Sequence, residues 1–185
     1  MRPQFGKDKI VQAAVQLFVE HGFHTTSTSQ IAEAANVSKG LMYNYFKSKD
    51  SLLLAIIDQA SQDMFDVASN MSGDGGYQKI LRVFLDQYGL MLKTKKSYLC
   101  FQMGLLFQPD LKKIIQVPFQ TRAAHLLHDT EKMFIGAGAS NTNLTARRFI
   151  CELDGIALHY LSVFKDFPLD EMLEELFKNY KGLGK

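Results

Sequence analysis

Nothing in this chain approaches the roughly 20 consecutive apolar residues of a membrane-spanning helix, and its start carries no secretory hydrophobic segment. A cytoplasmic protein with no membrane partner is therefore expected. Cysteine is scarce: Cys100 and Cys151 lie in separate apolar segments, which gives neither a disulfide framework nor a metal-ligand spacing. A strong excess of one charge is missing too, and a net +2 would not by itself suggest nucleic acid. No segment reads as a strand. The sequence has no Gly-x-Ser-x-Gly, and Gly136 to Gly138 lacks the lysine that completes a phosphate-cradling loop. His125 and His128 stand three apart beside Asp129 with no third ligand at motif spacing, so no metal, cofactor or catalytic group is expected.

What is present is 46% apolar residues, enough for a packed core in a chain of 185, and a helical period from end to end. Ile10, Ala14, Leu17 and Phe18 put a helix over Lys7 to His21, with Gly22 as its C-cap. A long amphipathic helix runs from Leu52 and Leu53 through Ile56, Ile57, Ala60, Met64 and Phe65. The stretch Gly73-Asp74-Gly75-Gly76 reads as the most flexible linker. Further helices are predicted from about Ser97 to Phe107, from Pro109 to about Ile135, from about Leu144 to Lys165 and from Pro168 to Tyr180. Pro118 falls inside the second of these, which predicts a kink or break near Val117. The fold class is all-α, with about nine helices.

The most informative segment runs from Thr26 to Lys49. Ser27 is placed to cap a helix, with Gln30 three residues on as the reciprocal partner of a capping box. Ile31, Ala32 and Ala35 make its apolar stripe. Asn36 stands where a left-handed residue would close that helix, Val37 turns back to the core, and Ser38 reads as the N-cap of the next. Two short helices across a three-residue turn form a helix-turn-helix.

In the second helix Met42 and Phe46 fall four apart and pack inward, which turns Lys39, Gly40, Leu41, Tyr43, Asn44 and Tyr45 toward the outside or its flanks. That set suits a DNA groove. Ser38 and the free N–H groups beside it can take a phosphate, Lys39 can neutralise one, and Gly40 removes the side chain that would hold the backbone away. Asn44 offers the donor and acceptor pair that adenine requires, Leu41 can meet a thymine methyl, and the Tyr43 and Tyr45 hydroxyls can donate to phosphate. Residues 1–49 hold six Lys or Arg against three Asp or Glu, so the basic excess lies beside this motif. Arg2, Lys7 and Lys9 extend it, although Arg2 also reads as a solvated end.

This segment resembles the helix-turn-helix of the tetracycline-repressor-like (TetR) family, through Gly22, Phe23, Thr26, Ile31, Ala32, Ala35, Val37, Ser38, Gly40, Tyr43, Tyr45, Phe46, Lys49 and Leu52, in register and without gaps. It departs from the pattern at Ser27, Asn36 and Leu41-Met42. The resemblance implies that the helix from Ser38 enters the major groove while Thr26, Ser27, Tyr43, Tyr45 and Lys49 hold the DNA backbone. It covers about the first quarter of the chain and implies a three-helix DNA-binding domain at 1–48 followed by a helical ligand-binding and dimerisation domain at 49–185.

For the second domain, the helix from Leu144 and the last helix are expected to pair with their copies in a homodimer, through Phe149, Leu153, Ile156, Tyr160, Leu161, Phe164, Met172 and Leu176. An ordinary intrachain core is the other reading of these residues. A ligand pocket is sketched by Phe84, Tyr88, Phe101, Met103, Phe107 and Phe119, with His125 and Asp154 to orient a small, mostly apolar inducer, each residue having a core or surface explanation beside it. The function expected is a homodimeric repressor that binds a near-palindromic double-stranded operator and is released by that ligand. A transcriptional activator, or a helical carrier or interaction protein with an inactive helix-turn-helix, is the alternative.

Overall fold

The computed structural model describes residues 2–58 and 76–183, and all regular structure among them is helical. We number the helices α1 (Arg2–His21), α2 (Thr28–Ala34), α3 (Lys39–Tyr45), α4 (helical over 49–58), α5 (Gly76–Thr94), α6 (Lys96–Leu105), α7 (Lys112–Gly136), α8 (Thr142–Leu158) and α9 (Leu169–Tyr180). The predicted linker at Gly73–Gly75 and the α4 positions Ala60, Met64 and Phe65 lie outside the described residues, as does the side chain of Arg2.

Within the described residues the chain forms two compact units that do not follow simple chain order. The first combines 2–58 with 100–119, and the second combines 76–99 with 120–183.

The first unit is built on α1, α2 and α3, which pack on one another. Ile10, Ala14 and Phe18 line one side of α1, as their spacing requires, and are buried with Phe23, Ile31, Ala32, Met42 and Phe46. Leu52, Leu53, Ile56 and Ile57 are all buried as well, so the described part of α4 belongs to this body on two adjoining stripes. Small alanines on α2 and the short length of α2 and α3 make that packing the source of their stability, since helices of two turns are marginal alone.

In the second unit, Phe134 of α7, Phe149 of α8 and Tyr180 of α9 meet with ring centroids 5.0 to 5.5 Å apart. Phe84 joins at 5.8 Å from Phe149. Arg82 of α5 holds α9 twice, by donating to Glu174 at 2.7 Å and by lying 3.7 Å over the Phe177 ring. A Cβ at Gly89 would sit 2.8 Å from Leu173, which shows how closely α5 and α9 approach.

Two helix expectations are corrected. No break occurs near Val117: α7 runs unbroken through Pro118, the seventh of its 25 residues. The helix from Leu144 does not reach Lys165 as α-helix; after Leu158 it widens into a π turn over His159–Val163, where the Phe164 N–H donates to the His159 carbonyl at 3.0 Å.

Candidate nucleic-acid interface

Local hydrogen bonds fix the two helices of the motif. Ser27 caps α2 with an extended backbone (φ −93°, ψ 153°), and both halves of the capping box are formed: the Gln30 N–H donates to Ser27 Oγ at 3.2 Å and the Ser27 N–H to Gln30 Oε1 at 2.8 Å. Asn36 carries the left-handed φ of 52°, its N–H donating to the Glu33 carbonyl, and the next N–H, of Val37, returns to the Ala32 carbonyl. Ser38 then caps α3, accepting from the Leu41 N–H at 3.1 Å. Every one of these devices lies within six residues of its partner, which is why the sequence could be read here.

On α3, Met42 and the capping Phe46 are buried, while Lys39, Gly40, Leu41, Tyr43 and Asn44 are exposed and Tyr45 is half-buried. Gly40 carries the most information. A Cβ built there meets nothing nearer than Ser38 Oγ at 4.0 Å, so packing within the chain does not require a glycine. Gly in a helix costs up to about 1 kcal/mol relative to Ala. A residue that weakens its helix without serving its own fold is consistent with a surface approached closely by something else. Tyr43, beside it, shares a hydrogen bond of 3.0 Å with Thr28, which ties the outer face of α3 to the first turn of α2.

Two expected backbone-holding residues have other work. Thr26 is 2% exposed, and its hydroxyl donates to the Gly22 carbonyl at 2.8 Å, closing the end of α1. Lys49 donates to the carbonyls of Phe23 (2.6 Å), His24 (3.2 Å) and Thr26 (2.9 Å), and its ammonium lies 4.5 Å over the Phe23 ring. Burial lowers its pKa from the ordinary lysine value, with Asp50 acting in the opposite sense. Both side chains donate to carbonyls of the segment that follows α1.

Residues 10–56 match the family described as bacterial regulatory proteins, tetR family. Residues 10–56 thus carry the N-terminal domain of the TetR family, and the chain is similar to TetR-family transcriptional regulators. Among its relatives, an uncharacterized HTH-type transcriptional regulator, YvkB of Bacillus subtilis, is 28% identical over 94% of this chain and 93% of its own length. The HTH-type transcriptional regulator QacR of Staphylococcus aureus is 40% identical, but over 28% of each chain. The fold is shared with Salmonella enterica GusR at a TM-score of 0.80 and 19% identity, covering 99% of this chain and 97% of that one. The fatty acid degradation regulator FadR of Bacillus halodurans follows at 0.76 and 20%, covering 93% and 92%. The family is one of transcriptional regulators and not of enzymes.

Beyond the TetR helix-turn-helix, the structure divides the residues expected to line one pocket. Phe101, Met103, Phe107 and Phe119 fall in the first unit; Phe84, Tyr88, His125 and Asp154 fall in the second. Phe107 is 81% exposed at the end of α6 and lines no enclosed space. Phe101 stacks on Phe18 of α1 at 5.8 Å. Phe84 and Tyr88 are buried and stacked on each other, and the Tyr88 hydroxyl donates to the Leu153 carbonyl at 2.8 Å, so both are core. A group the sequence reading missed is Arg122 of α7. Burial lowers its pKa, opposed by Tyr98 and Asp154; burial raises that of Asp154, opposed by Arg122, so α6, α7 and α8 bring a phenol, a guanidinium and a carboxylate together. Its place between Phe119 and Leu126 at helical spacing was the available signal.

The eight expected dimer residues divide by their exposure in the single chain. Phe149, Leu153, Ile156, Leu161 and Leu176 are buried by their own chain, Phe149 within the aromatic cluster of the second unit. Tyr160 is half-buried, with Lys96 5.3 Å over its ring, and Phe164 and Met172 are exposed.

Proposed function

We propose that this chain is a homodimeric, ligand-released repressor. Its recognition helix is α3, with Lys39, Gly40 and Ser38 against phosphate and Leu41 and Asn44 against base edges. The observation that carries the DNA-facing part is the exposed outer face of α3 with a glycine that the fold does not need. Ser27, Tyr43 and Tyr45 complete the backbone contacts. In this reading residues 1–48 bind DNA and 49–185 bind the ligand and the second copy.

The dimer surface proposed here is the side of α8 left exposed by the chain itself. Leu144, Cys151 and Leu158 recur every seven residues along it, with Phe164 just beyond and Met172 on α9. Two copies of α3 related by a two-fold axis would read half-sites ~34–36 Å apart or a multiple of that, hence a near-palindromic operator. The inducer is a small, mostly apolar molecule, a reading that the fatty acid degradation regulator of like fold supports. Its binding favours a conformation in which the paired helices no longer fit their half-sites.

The test is selection of fragments from genomic DNA by the purified protein, followed by titration of the selected duplex with one half-site scrambled. The proposal expects a steep loss of affinity; unchanged binding overturns the dimeric operator, and selection of no fragment overturns DNA binding itself.

A further inference from the structure

The ammonium of Lys49 is surrounded in a way that few surface lysines are. Its three acceptors are consecutive or nearly consecutive carbonyls of the α1–α2 corner, at 2.6, 3.2 and 2.9 Å, and the Phe23 ring closes one side. Three acceptors require three protons, so the contact needs the charged ammonium and uses its whole donor capacity. Lys49 stands in the first turn of α4, directly after Ser48, which caps that helix by accepting from the Ser51 N–H at 3.0 Å. Leu52, Leu53, Ile56 and Ile57 then bury the following turns.

A path of short contacts leads from this ammonium to the outer face of α3. Lys49 holds the Thr26 carbonyl; the next residue, Ser27, caps α2; Thr28 opens α2 and shares its hydroxyl with Tyr43 of α3. We propose that Lys49 is a positioning residue for DNA binding, an internal cation that bolts the start of α4 to the α1–α2 corner and thereby sets where Thr28 and Tyr43 stand, and that it is not itself a phosphate ligand. This inference rests on reading α3 and the start of α2 as the DNA-facing surface. It also carries a mechanical consequence: a swing of the first turns of α4 against the α1–α2 corner would have to break the three hydrogen bonds of Lys49.

The wild-type protein gives the first test. Limited acylation with acetic anhydride, read by mass spectrometry, is compared with and without a mixed-sequence duplex at low ionic strength. Lys39 and Lys47 are exposed and should react in the free protein and be shielded by DNA; Lys49 should react slowly in both states. Fast modification of Lys49 in the free protein with shielding by DNA overturns the proposal. If no lysine is shielded, the DNA-facing reading fails, while slow reaction of Lys49 still supports the internal clamp.

Variants give the second test, at a temperature where circular dichroism shows them fully folded. Lys49→Met should lower DNA affinity by about tenfold, the scale of a few charge-assisted hydrogen bonds, with the salt slope kept. Lys39→Met should instead reduce the slope by about 0.9. Lys49→Arg should fail to rescue, because a planar guanidinium does not fit three converging carbonyls although it would serve a phosphate well. Lys49→Met on a Tyr43→Phe background should cost less than it does alone, since both act along one path. Wild-type affinity in folded Lys49→Met, or rescue by Lys49→Arg, contradicts the proposal.

Discussion

Single residues divide cleanly by the reach of their contacts. Ser27, Asn36 and Ser38 act on neighbours within a few positions, and their roles were legible because a cap or a left-handed turn is a local decision. Ser38→Ala should therefore cost about 1 kcal/mol of stability by thermal or denaturant unfolding. Lys49 and Thr26 were not legible in this way: Lys49 reaches back 23 to 26 residues, and nothing in the spacing distinguishes a lysine that faces phosphate from one that faces carbonyls. Gly40 separates fold from function. Gly40→Leu fills open space on an exposed turn, so thermal stability should hold or rise by up to about 1 kcal/mol while affinity for duplex DNA falls. A variant that is destabilised and binds DNA normally would reverse the assignment.

At the scale of elements, periodicity located the helices but not the side of each that the chain would cover. The helix from Leu144 is apolar on most of its circumference, and the sequence could not say which stripe faced inward; the structure buries Phe149, Leu153 and Ile156 and leaves Leu144 and Leu158 outside. Phe149→Ala should lower stability by about 3–5 kcal/mol, because the rings of Phe84, Phe134 and Tyr180 lose their common neighbour. Calorimetry at a fixed protein concentration measures it, and a loss below about 1 kcal/mol would place Phe149 outside the core. The link between α5 and α9 predicts a pH effect. The Arg82 hydrogen bond, the largest cause, lowers the Glu174 pKa below 4.5, so its stabilisation is present above the unfolded value and lost as pH falls through the folded one. Arg82→Met should flatten the acid limb of the stability profile slightly, the pair being solvent-screened. Equal acid sensitivity in variant and wild type would remove Glu174 from that account. The π turn after Leu158 had no sequence signal, since an i to i+5 bond uses the same residue types as a regular turn.

For the whole molecule, the all-α class and the DNA-binding motif were legible, the first from an unbroken helical period and the second from a dense run of capping, turn and core residues. The pairing of 100–119 with the N-terminal residues was not, because contacts across so long a stretch leave no periodic trace. Dimerisation through the exposed stripe predicts that Leu158→Glu, 43% exposed in the single chain, leaves the fold intact but yields a monomer in sedimentation at micromolar concentration. The central claim is that the outer face of α3 lies against duplex DNA. Equilibrium binding of wild type and Gly40→Leu to the same selected duplex, across a range of salt, tests it most directly. Tight wild-type binding that weakens steeply with salt and is lost in the variant is the predicted result; no retention of any duplex by the wild type at low ionic strength, or indistinguishable curves for the two proteins, would contradict it.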